Sequence, residues 1–388
     1  MYKIKTLNEI ASEGLSRLDD SINVSQDTEV DAYVVRSFNL HEHAFPSTLL
    51  AIARAGVGVN TIPIDTCSEK GIVVFNTPGA NANGVKEMVL TALLLSSRDV
   101  LAGIEFAKGL KEDIVNQVEK GKSQFVGPEL QGKTLGVIGL GSVGVLIANA
   151  ASALGMHVLG YDPYISITNA WGLSPQVKRA NSYEEVFQAS DYLSLHVPLL
   201  DSTEHLINAK SIRKLKKNVR VLNFARAELV DDEAMIEALN NGHVYRYVTD
   251  FPNETLMNIP HVIAIPHLGA STPESEINCA VMAVEEINDY LNHGSIVNSI
   301  NFPNCVLGPV VSDARITLLH KNIPNMVGQI TTELGLHSIN IAGMQNMSKK
   351  EWAYTVLEIE GKISEDIINH LRTIEGVVRV RKIVSKQS

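Results

Sequence analysis

The sequence predicts an α/β protein with two doubly wound parallel-sheet domains and a small C-terminal module of βαββαβ order. Three observations support this fold class. Short apolar strands alternate with helical segments up to about residue 270, as in parallel sheets covered by helices. A glycine-rich turn joins an apolar strand to an apolar helix near residue 140. The last 75 or so residues change to the βαββαβ pattern.

Composition bounds the class of protein before any motif is considered. The chain has 388 residues, of which 45% are hydrophobic and 20% charged, so it can form globular cores. Its net charge of -10 argues against nucleic acid as the main partner. Three scattered cysteines, Cys67, Cys279 and Cys305, are too few for a disulfide framework or a zinc site. Without a signal-like or membrane-spanning segment, we expect a cytoplasmic protein.

The first domain is predicted over residues 1–95 and 271–305, as a flavodoxin-like parallel sheet. The apolar runs at 32–36 and 71–75 are typical of strands. We expect helices at 46–53 and 85–95 and a long helix at 273–292, which returns to pack on this domain.

The second domain, residues 96–270, has the clearest strand–helix rhythm and is predicted to be a Rossmann fold. Helices are expected at 143–154 and 231–240, among others. Six parallel strands are predicted at 134–138, 157–161, 192–196, 219–224, 245–250 and 262–265.

A linker at 298–307 leads to the C-terminal module, predicted over 311–388 as a ferredoxin-like fold. Its helices are expected at 325–337 and 364–374. Its strands are predicted at 314–321, 338–344, 352–360 and 377–383.

The glycine-rich turn predicts a dinucleotide site. Gly139 permits a tight turn, Gly141 lets the backbone approach a pyrophosphate, and Gly144 lets helix and strand pack closely. The helix N-terminus supplies free N–H groups for phosphate. Asp162, at the end of the second strand, can accept both ribose hydroxyls and would repel a 2'-phosphate. The pattern therefore favours NAD over NADP.

Three polar residues follow the carboxyl ends of later strands, where ligands bind in open α/β sheets. These are Arg226, Glu254 and His267. Each alone is more often an ordinary surface or structural residue. Together they could converge where a nicotinamide ring lies.

The chain resembles the D-isomer-specific 2-hydroxyacid dehydrogenases in the order of its motifs. These are GLGSVG at 139–144, HVPLLDSTEHLI at 196–207, LNFARAELVDDEAM at 222–235 and PHLGAST at 266–272. The resemblance implies NAD-dependent oxidation of a 2-hydroxy acid. It implies that His267 takes the C2 hydroxyl proton, that Glu254 hydrogen-bonds His267 and favours its charged form, and that Arg226 binds the substrate carboxylate.

The resemblance also implies cofactor contacts beyond the three glycines and Asp162. Asp250 would contact the nicotinamide amide, although the Asp-Phe-Pro stretch that contains it is one residue shorter than in the family. The further contacts implied are Leu140, Ser142, Val143, His196, Pro198, Ala225 and Gly269.

The stretches VVRS at 34–37, RAGVGVN at 54–60 and NTPGAN at 76–81 resemble the substrate-domain signatures of family members that act on 3-phosphoglycerate. Such a substrate has two anionic ends and needs a second cationic contact. The resemblance assigns phosphate or carboxylate contacts to Arg36, Arg54, Lys122, Asn81 and the backbone of Ala55, Gly56 and Val57.

The C-terminal module resembles an ACT amino-acid-sensing domain. The resemblance implies that His320, Asn322 and Asn340 bind L-serine as a feedback inhibitor, and that the modules pair in a homotetramer. An ACT module kept only for oligomerisation is the alternative. Two other functions stay open: another dehydrogenase of this fold, acting on glyoxylate, hydroxypyruvate or D-lactate, and a non-catalytic NAD-sensing corepressor.

Overall fold

A computed structural model describes residues 1–384 of the chain. It divides into two compact units. The first comprises Met1–Ala80 and the chain from Glu276 onwards, and the second comprises Asn81–Ser275. The last four residues of the predicted C-terminal module, 385–388, lie outside the described residues.

The first unit contains a five-stranded parallel sheet in the order β2-β1-β3-β4-β5, which is the flavodoxin-like order. Alternate residues of β3 face opposite cores: Val34 lies in one buried cluster and Val35 in another. The strands are β1 Tyr2–Thr6, β2 Ile22–Val24, β3 Ala32–Val35, β4 Ala51–Arg54 and β5 Val73–Asn76, with short helices α1 Ser12–Leu15 and α2 Ile64–Glu69.

The helix predicted at 46–53 is wrong. Only Ala51–Arg54 is regular, and it forms the central strand β4, hydrogen-bonded to β3 and β5. Three of its four residues are fully buried. Because a short strand buried on both faces shows no polar alternation, its apolar run cannot be told from a helix by pattern alone.

The second unit contains a seven-stranded parallel sheet in the order β12-β11-β10-β9-β6-β7-β8. All six strands predicted here are confirmed, and a short edge strand, β8, adds a seventh. The strands are β6 Thr134–Ile138, β7 His157–Tyr161, β8 Lys178–Arg179, β9 Tyr192–Leu195, β10 Val219–Asn223, β11 Val244–Thr249 and β12 Val262–Ala264. The helices are α3 Ala82–Ser97, α4 Val100–Gly109, α5 Ile114–Gly121, α6 Ser142–Ala153, α7 Ile167–Trp171, α8 Tyr183–Ala189, α9 Ala209–Ile212 and α10 Asp232–Asn240.

Helix α3 lies in the second unit, although the sequence placed its residues up to 95 in the first domain. Val89 and Leu93 of α3 pack in the same buried cluster as Leu135 and Val137 of β6. The unit boundary therefore falls before α3, at Ala80, rather than at 95.

Helix α11, Pro273–His293, packs on the first unit as expected, with Ala283, Ile287 and Tyr290 in its core. The C-terminal module follows, with sheet order β14-β15-β13-β16 and helices on one face. Its elements are β13 Ala314–Lys321, α12 Met326–Leu336, β14 Asn340–Lys349, β15 Trp352–Glu360, α13 Glu365–Thr373 and β16 Val377–Val384. The predicted βαββαβ order is confirmed.

The other face of the module's sheet packs within the first unit, against the core that contains the parallel sheet. Tyr354 and Leu319 join the core of that unit, and the module's side chains bond the last carbonyls of α11. Arg381 donates to the carbonyls of Tyr290 (3.1 Å) and Leu291 (2.9 Å). Arg315 donates to His293 O (2.6 Å), and Tyr354 Oη donates to Gly294 O (2.7 Å). The bonds to Leu291 and His293 satisfy carbonyls of the last helical turn, whereas Tyr290 O also accepts from Gly294 N (2.9 Å), and the two cations suit the negative dipole end of the helix.

None of the described helices combines the length and apolar composition that a bilayer crossing requires.

Candidate active site

The glycine-rich turn has the geometry expected of a phosphate cradle. Gly139 has φ +91°, and a Cβ there would lie 2.6 Å from His196 O. A Cβ on Gly144 would lie 2.0 Å from Gly139 O, so α6 packs against the turn too closely for any side chain. A Cβ on Gly141 would meet no atom of the described residues within 4 Å. The backbone N–H groups at the start of α6, beginning with Ser142 and Val143, therefore border open space.

The Asp162 carboxylate lies beside this turn. Its Oδ2 accepts from Leu140 N (2.8 Å) and its Oδ1 from Tyr164 N (2.8 Å). These bonds fix the carboxylate at the end of β7, where a ribose hydroxyl could donate to its remaining lone pairs. The residues present thus fit an adenine dinucleotide.

His196 follows β9, next to the same turn, and Pro198 follows it on the exposed side. His196 Nε2 lies 2.7 Å from Ser194 Oγ. Burial lowers the pKa of His196 to about 3, so the ring is neutral at ordinary pH. It can therefore pack against an uncharged part of a cofactor without adding charge.

Asp250 is the most buried carboxylate of the second unit's predicted site, with 1% of its surface exposed. Burial raises its pKa, while the charges of His267 and Arg226 and the Gly269 N–H act in the opposite direction. Its Oδ1 has no hydrogen-bond partner among the described residues. The structure thus brings Asp250, Arg226 and His267 together at the carboxyl ends of β10, β11 and β12. The unpartnered oxygen is free to accept from a nicotinamide amide.

Asn223 fixes the turn that carries Arg226, and sequence reasoning did not identify it as important. It is fully buried at the end of β10; its Nδ2 donates to Arg226 O (2.8 Å) and its Oδ1 accepts from Ala225 N (3.2 Å). The Arg226 side chain remains exposed. A buried asparagine at a strand end is a signal that could have indicated this positioning role.

Glu254 lies in the segment after β11, and its side chain is exposed. It forms no hydrogen bond with His267 among the described residues. His267 instead packs edge-on against Phe251, with ring centroids 5.0 Å apart, and Asp250 is the carboxylate that interacts with it. The role of Glu254 stays a prediction.

In the first unit, Arg36 lines a cavity of about 450 Å³ together with Ala55 and three glutamates, Glu9, Glu13 and Glu276. Arg36 forms an ion pair with Glu276 (2.5 Å). Its backbone turn is held by Asn8 Oδ1, which accepts from the N–H of residues 36, 37 and 38 at 2.9–3.0 Å. Glu276 is 240 residues from Arg36 in sequence and was not anticipated.

Arg54 lies over the glycine loop that follows β4. Its Nε donates to Arg36 O (2.9 Å) and its Nη1 to Gly58 O. A Cβ on Gly56 would lie 3.2 Å from the guanidinium, and burial lowers the pKa of Arg54. The carbonyl of Val57 accepts from Asn76 Nδ2 (2.6 Å), so the loop is held from both sides. Arg54 therefore shapes the loop that contains the predicted backbone contacts.

The remaining two predicted substrate residues belong to the second unit. Asn81 precedes α3, and Lys122 forms an exposed ion pair with Glu119 (2.5 Å). Neither is in the unit that contains Arg36 and Arg54.

In the C-terminal module, His320 and Asn322 lie at one end of the sheet and Asn340 at the other. His320 pairs with Ala353 of β15, whereas Asn340 pairs with Glu360, seven residues further along. At about 3.4 Å per residue they are about 24 Å apart in one copy. His320 is buried, with its Nε2 2.8 Å from Thr355 Oγ1, and Asn340 Nδ2 donates to Glu360 (2.5 Å). One module therefore does not contain a complete three-residue site.

Comparison with known proteins identifies the family. Residues 100–269 match the family model described as D-isomer specific 2-hydroxyacid dehydrogenase, NAD binding domain. The D-3-phosphoglycerate dehydrogenase of Haemophilus influenzae is 31% identical over 345 residues, covering 86% of this chain and 81% of that protein. The hydroxypyruvate reductase of Thermotoga maritima is 36% identical over 297 residues, covering 72% of this chain and 90% of that protein. The chain belongs to the D-isomer-specific 2-hydroxyacid dehydrogenase family.

A solved structure supports the same assignment. The NAD+-bound 3-phosphoglycerate dehydrogenase of Entamoeba histolytica superposes with a TM-score of 0.59 at 27% identity, covering 77% of this chain and 98% of that chain. The chain spans 59% of the length of the Bacillus subtilis D-3-phosphoglycerate dehydrogenase and 53% of that of Methanocaldococcus jannaschii. The predicted NAD cofactor is confirmed by the family of the second unit.

Proposed function

We propose that this dehydrogenase oxidises D-3-phosphoglycerate to 3-phosphohydroxypyruvate with NAD, the first step of L-serine biosynthesis. The observation that carries the activity is the cluster of Asp250, Arg226 and His267 at the carboxyl ends of three neighbouring strands in the NAD-binding unit. Similarity to D-3-phosphoglycerate dehydrogenases over most of the chain supports the choice of substrate.

Each residue of the cluster has a task in this reaction. NAD, when bound, accepts the hydride from C2 of the substrate. His267 takes the proton from the C2 hydroxyl, so that the alcohol becomes a ketone. Arg226 binds the carboxylate and the developing carbonyl oxygen with its planar fork. Asp250 lies beside both side chains, and its free Oδ1 orients the nicotinamide amide.

A phosphate-bearing substrate needs further cationic groups, and similarity to D-3-phosphoglycerate dehydrogenases supports Arg36 and Arg54 as candidates. Arg36 is the candidate for direct phosphate contact, because Arg54 is already bonded to backbone carbonyls. A phosphate would compete with Glu276 for the Arg36 guanidinium. Lys122 and Asn81 of the other unit are proposed as additional contacts.

The second candidate is a hydroxypyruvate reductase, favoured by the 36% identity to the Thermotoga maritima enzyme. Steady-state kinetics on the purified full chain with phosphohydroxypyruvate, hydroxypyruvate, glyoxylate and pyruvate distinguish the two. We expect the highest kcat/KM with phosphohydroxypyruvate. A higher kcat/KM with hydroxypyruvate would overturn the substrate, and absence of turnover with every oxo acid, despite NADH binding, would support a corepressor instead.

We also propose that serine inhibits the enzyme at paired C-terminal modules of a homotetramer. Strand β14 is the exposed edge of its sheet, which is a template for pairing with a second copy. If β14 pairs antiparallel with β14 of a second copy, with the two-fold axis at the middle of the strand, Asn340 of the second copy lies beside Lys349. Lys349 in turn pairs with Trp352 of β15, the residue before Ala353. That is the end where His320 and Asn322 lie, so each complete site would use two copies.

Calorimetry of the full chain with L-serine tests this regulation. We expect binding and inhibition in the wild type, and loss of both in Asn340→Ala. Mixing Asn340→Ala with Asn322→Ala chains should restore part of the binding, because a mixed pair keeps one intact site. Unchanged inhibition in Asn340→Ala would contradict the proposal.

A further inference from the structure

Three side chains of metal-ligating type, from Glu333, His337 and His370, meet on the helical face of the C-terminal module. Glu333 and His337 are four residues apart around the end of α12, so they project from the same side of the helix. His370 projects from α13 beside them. The two helices are held together underneath by buried apolar residues such as Leu334 and Leu371.

The distances within this cluster suit a shared cation. Glu333 Oε1 lies 3.0 Å from His370 Nδ1 and 3.6 Å from His337 Nδ1. Three ligand atoms, one from each residue, lie within 4.8 Å of one another. Tetrahedral zinc with bonds of about 2.0–2.1 Å places its ligand atoms about 3.3 Å apart, which lies between the two distances.

The surroundings leave the cluster available to an ion. The side chains of Glu333, His337 and His370 are 24%, 34% and 56% exposed, so solvent can reach a fourth position. In the described part of the chain, no lysine or arginine forms an ion pair with Glu333. Imidazole nitrogen and carboxylate oxygen together suit zinc and neighbouring divalent transition metals rather than Ca²⁺, which prefers oxygen alone.

We propose that Glu333, His337 and His370 bind a divalent transition metal ion of the zinc class, with water as the fourth ligand. The ion links α12 to α13 across their exposed side. It requires neutral imidazoles, so His337 Nδ1 exchanges its contact with the Glu333 carbonyl (3.0 Å) for the metal. Metal binding therefore weakens as pH falls. The site is independent of hydride transfer, and its test does not depend on the proposed reaction.

The test is isothermal titration of the full, untagged chain with ZnCl₂ after removal of bound metal with a chelator. We expect one ion per chain, and weaker binding at about pH 5.5 than at about pH 7.5. His370→Ala and Glu333→Gln should each lose at least about tenfold in affinity, because loss of even an outer-shell partner costs about 10–100-fold. His157→Ala is the matched control, since His157 is an exposed histidine of the other unit.

A second readout separates binding at this cluster from binding elsewhere. Co²⁺ in place of Zn²⁺ should give visible absorption bands of a four-coordinate site in the wild type and in His157→Ala. These bands should be absent in His370→Ala, whose melting temperature without metal should match the wild type because the side chain is mostly exposed. Wild-type zinc affinity in His370→Ala, or an equal loss in His157→Ala, would overturn the proposal.

Discussion

Replacing Gly141 with alanine should abolish tight NADH binding while leaving the fold intact. Gly141 is the residue before α6, with φ -72° and ψ -167°, an extended conformation that alanine adopts without strain. The added methyl meets no atom of the described residues within 4 Å. Alanine is less favourable than glycine before a helix, but it restricts the unfolded chain by about 0.4–1 kcal/mol. These two effects nearly cancel, so the melting temperature should change little.

The effect on the cofactor is different, because the methyl occupies the space through which a pyrophosphate reaches the N–H groups of α6. Loss of one hydrogen bond to a charged group costs about 1.5–3 kcal/mol. NADH affinity, measured by fluorescence titration, should therefore fall by about 10- to 100-fold. Wild-type affinity in Gly141→Ala would show that the pyrophosphate does not lie over this turn.

Gly144→Ala is the matched comparison. Its methyl would lie 2.0 Å from Gly139 O, so strand and helix must separate. Overpacking of this kind costs about 1–3 kcal/mol, which corresponds to about 2–12 °C in melting temperature for a unit of this size. The two alanine variants should therefore separate loss of binding from loss of stability. Equal melting temperatures in the two variants would contradict the packing argument.

Four further predictions concern other residues of the proposed enzyme. His267→Ala should lower kcat by about 10²–10⁴-fold with NADH binding retained, and a wild-type rate would remove its acid–base role. Glu254→Gln should lower kcat with NADH binding retained, because the implied hydrogen bond positions the His267 ring; an unchanged kcat would leave that positioning role to Asp250. Asp162→Ser should narrow the preference for NADH over NADPH by about tenfold or more, and an unaltered ratio would mean that Asp162 does not exclude the 2'-phosphate. Arg36→Ala should cost about 1.5–3 kcal/mol in kcat/KM with phosphohydroxypyruvate and less with hydroxypyruvate; equal losses would mean that Arg36 does not contact the phosphate.

The residue pattern of a segment was sufficient to predict its secondary structure where neighbouring residues alone determine that structure. The strand at 134–138 and the turn after it are read from neighbouring residues, as are the strands at 314–321 and 352–360. The helix predicted at 46–53 was wrong because Ala51–Arg54 forms a strand by hydrogen-bonding to β3 and β5, which lie on either side of it in the sheet.

The candidate site shows the same limit. The sequence predicted that Arg226, Glu254 and His267 could converge, but that Asp250 lies with Arg226 and His267 is visible only in the folded structure. The pairing of Arg36 with Glu276 joins residues 240 positions apart, and nothing near either residue indicates it. Likewise, the distance between His320 and Asn340 follows from the register of the strands, and motif residues alone do not reveal that register.

The attachment of the C-terminal module to α11 has a consequence for how such a module can be gained or lost. Arg381 and Arg315 complete the end of a helix whose first turn contains Glu276, the partner of Arg36. Cutting the chain after residue 310 would remove the arginine partners of Leu291 O and His293 O and would uncover the apolar surface that Tyr354 and Leu319 now protect. The module therefore cannot be removed without disturbing the rest of the first unit. Evolution or engineering could remove the module only by redesigning the end of α11 at the same time, and a truncated chain would show the effects of a damaged scaffold as well as those of the missing module.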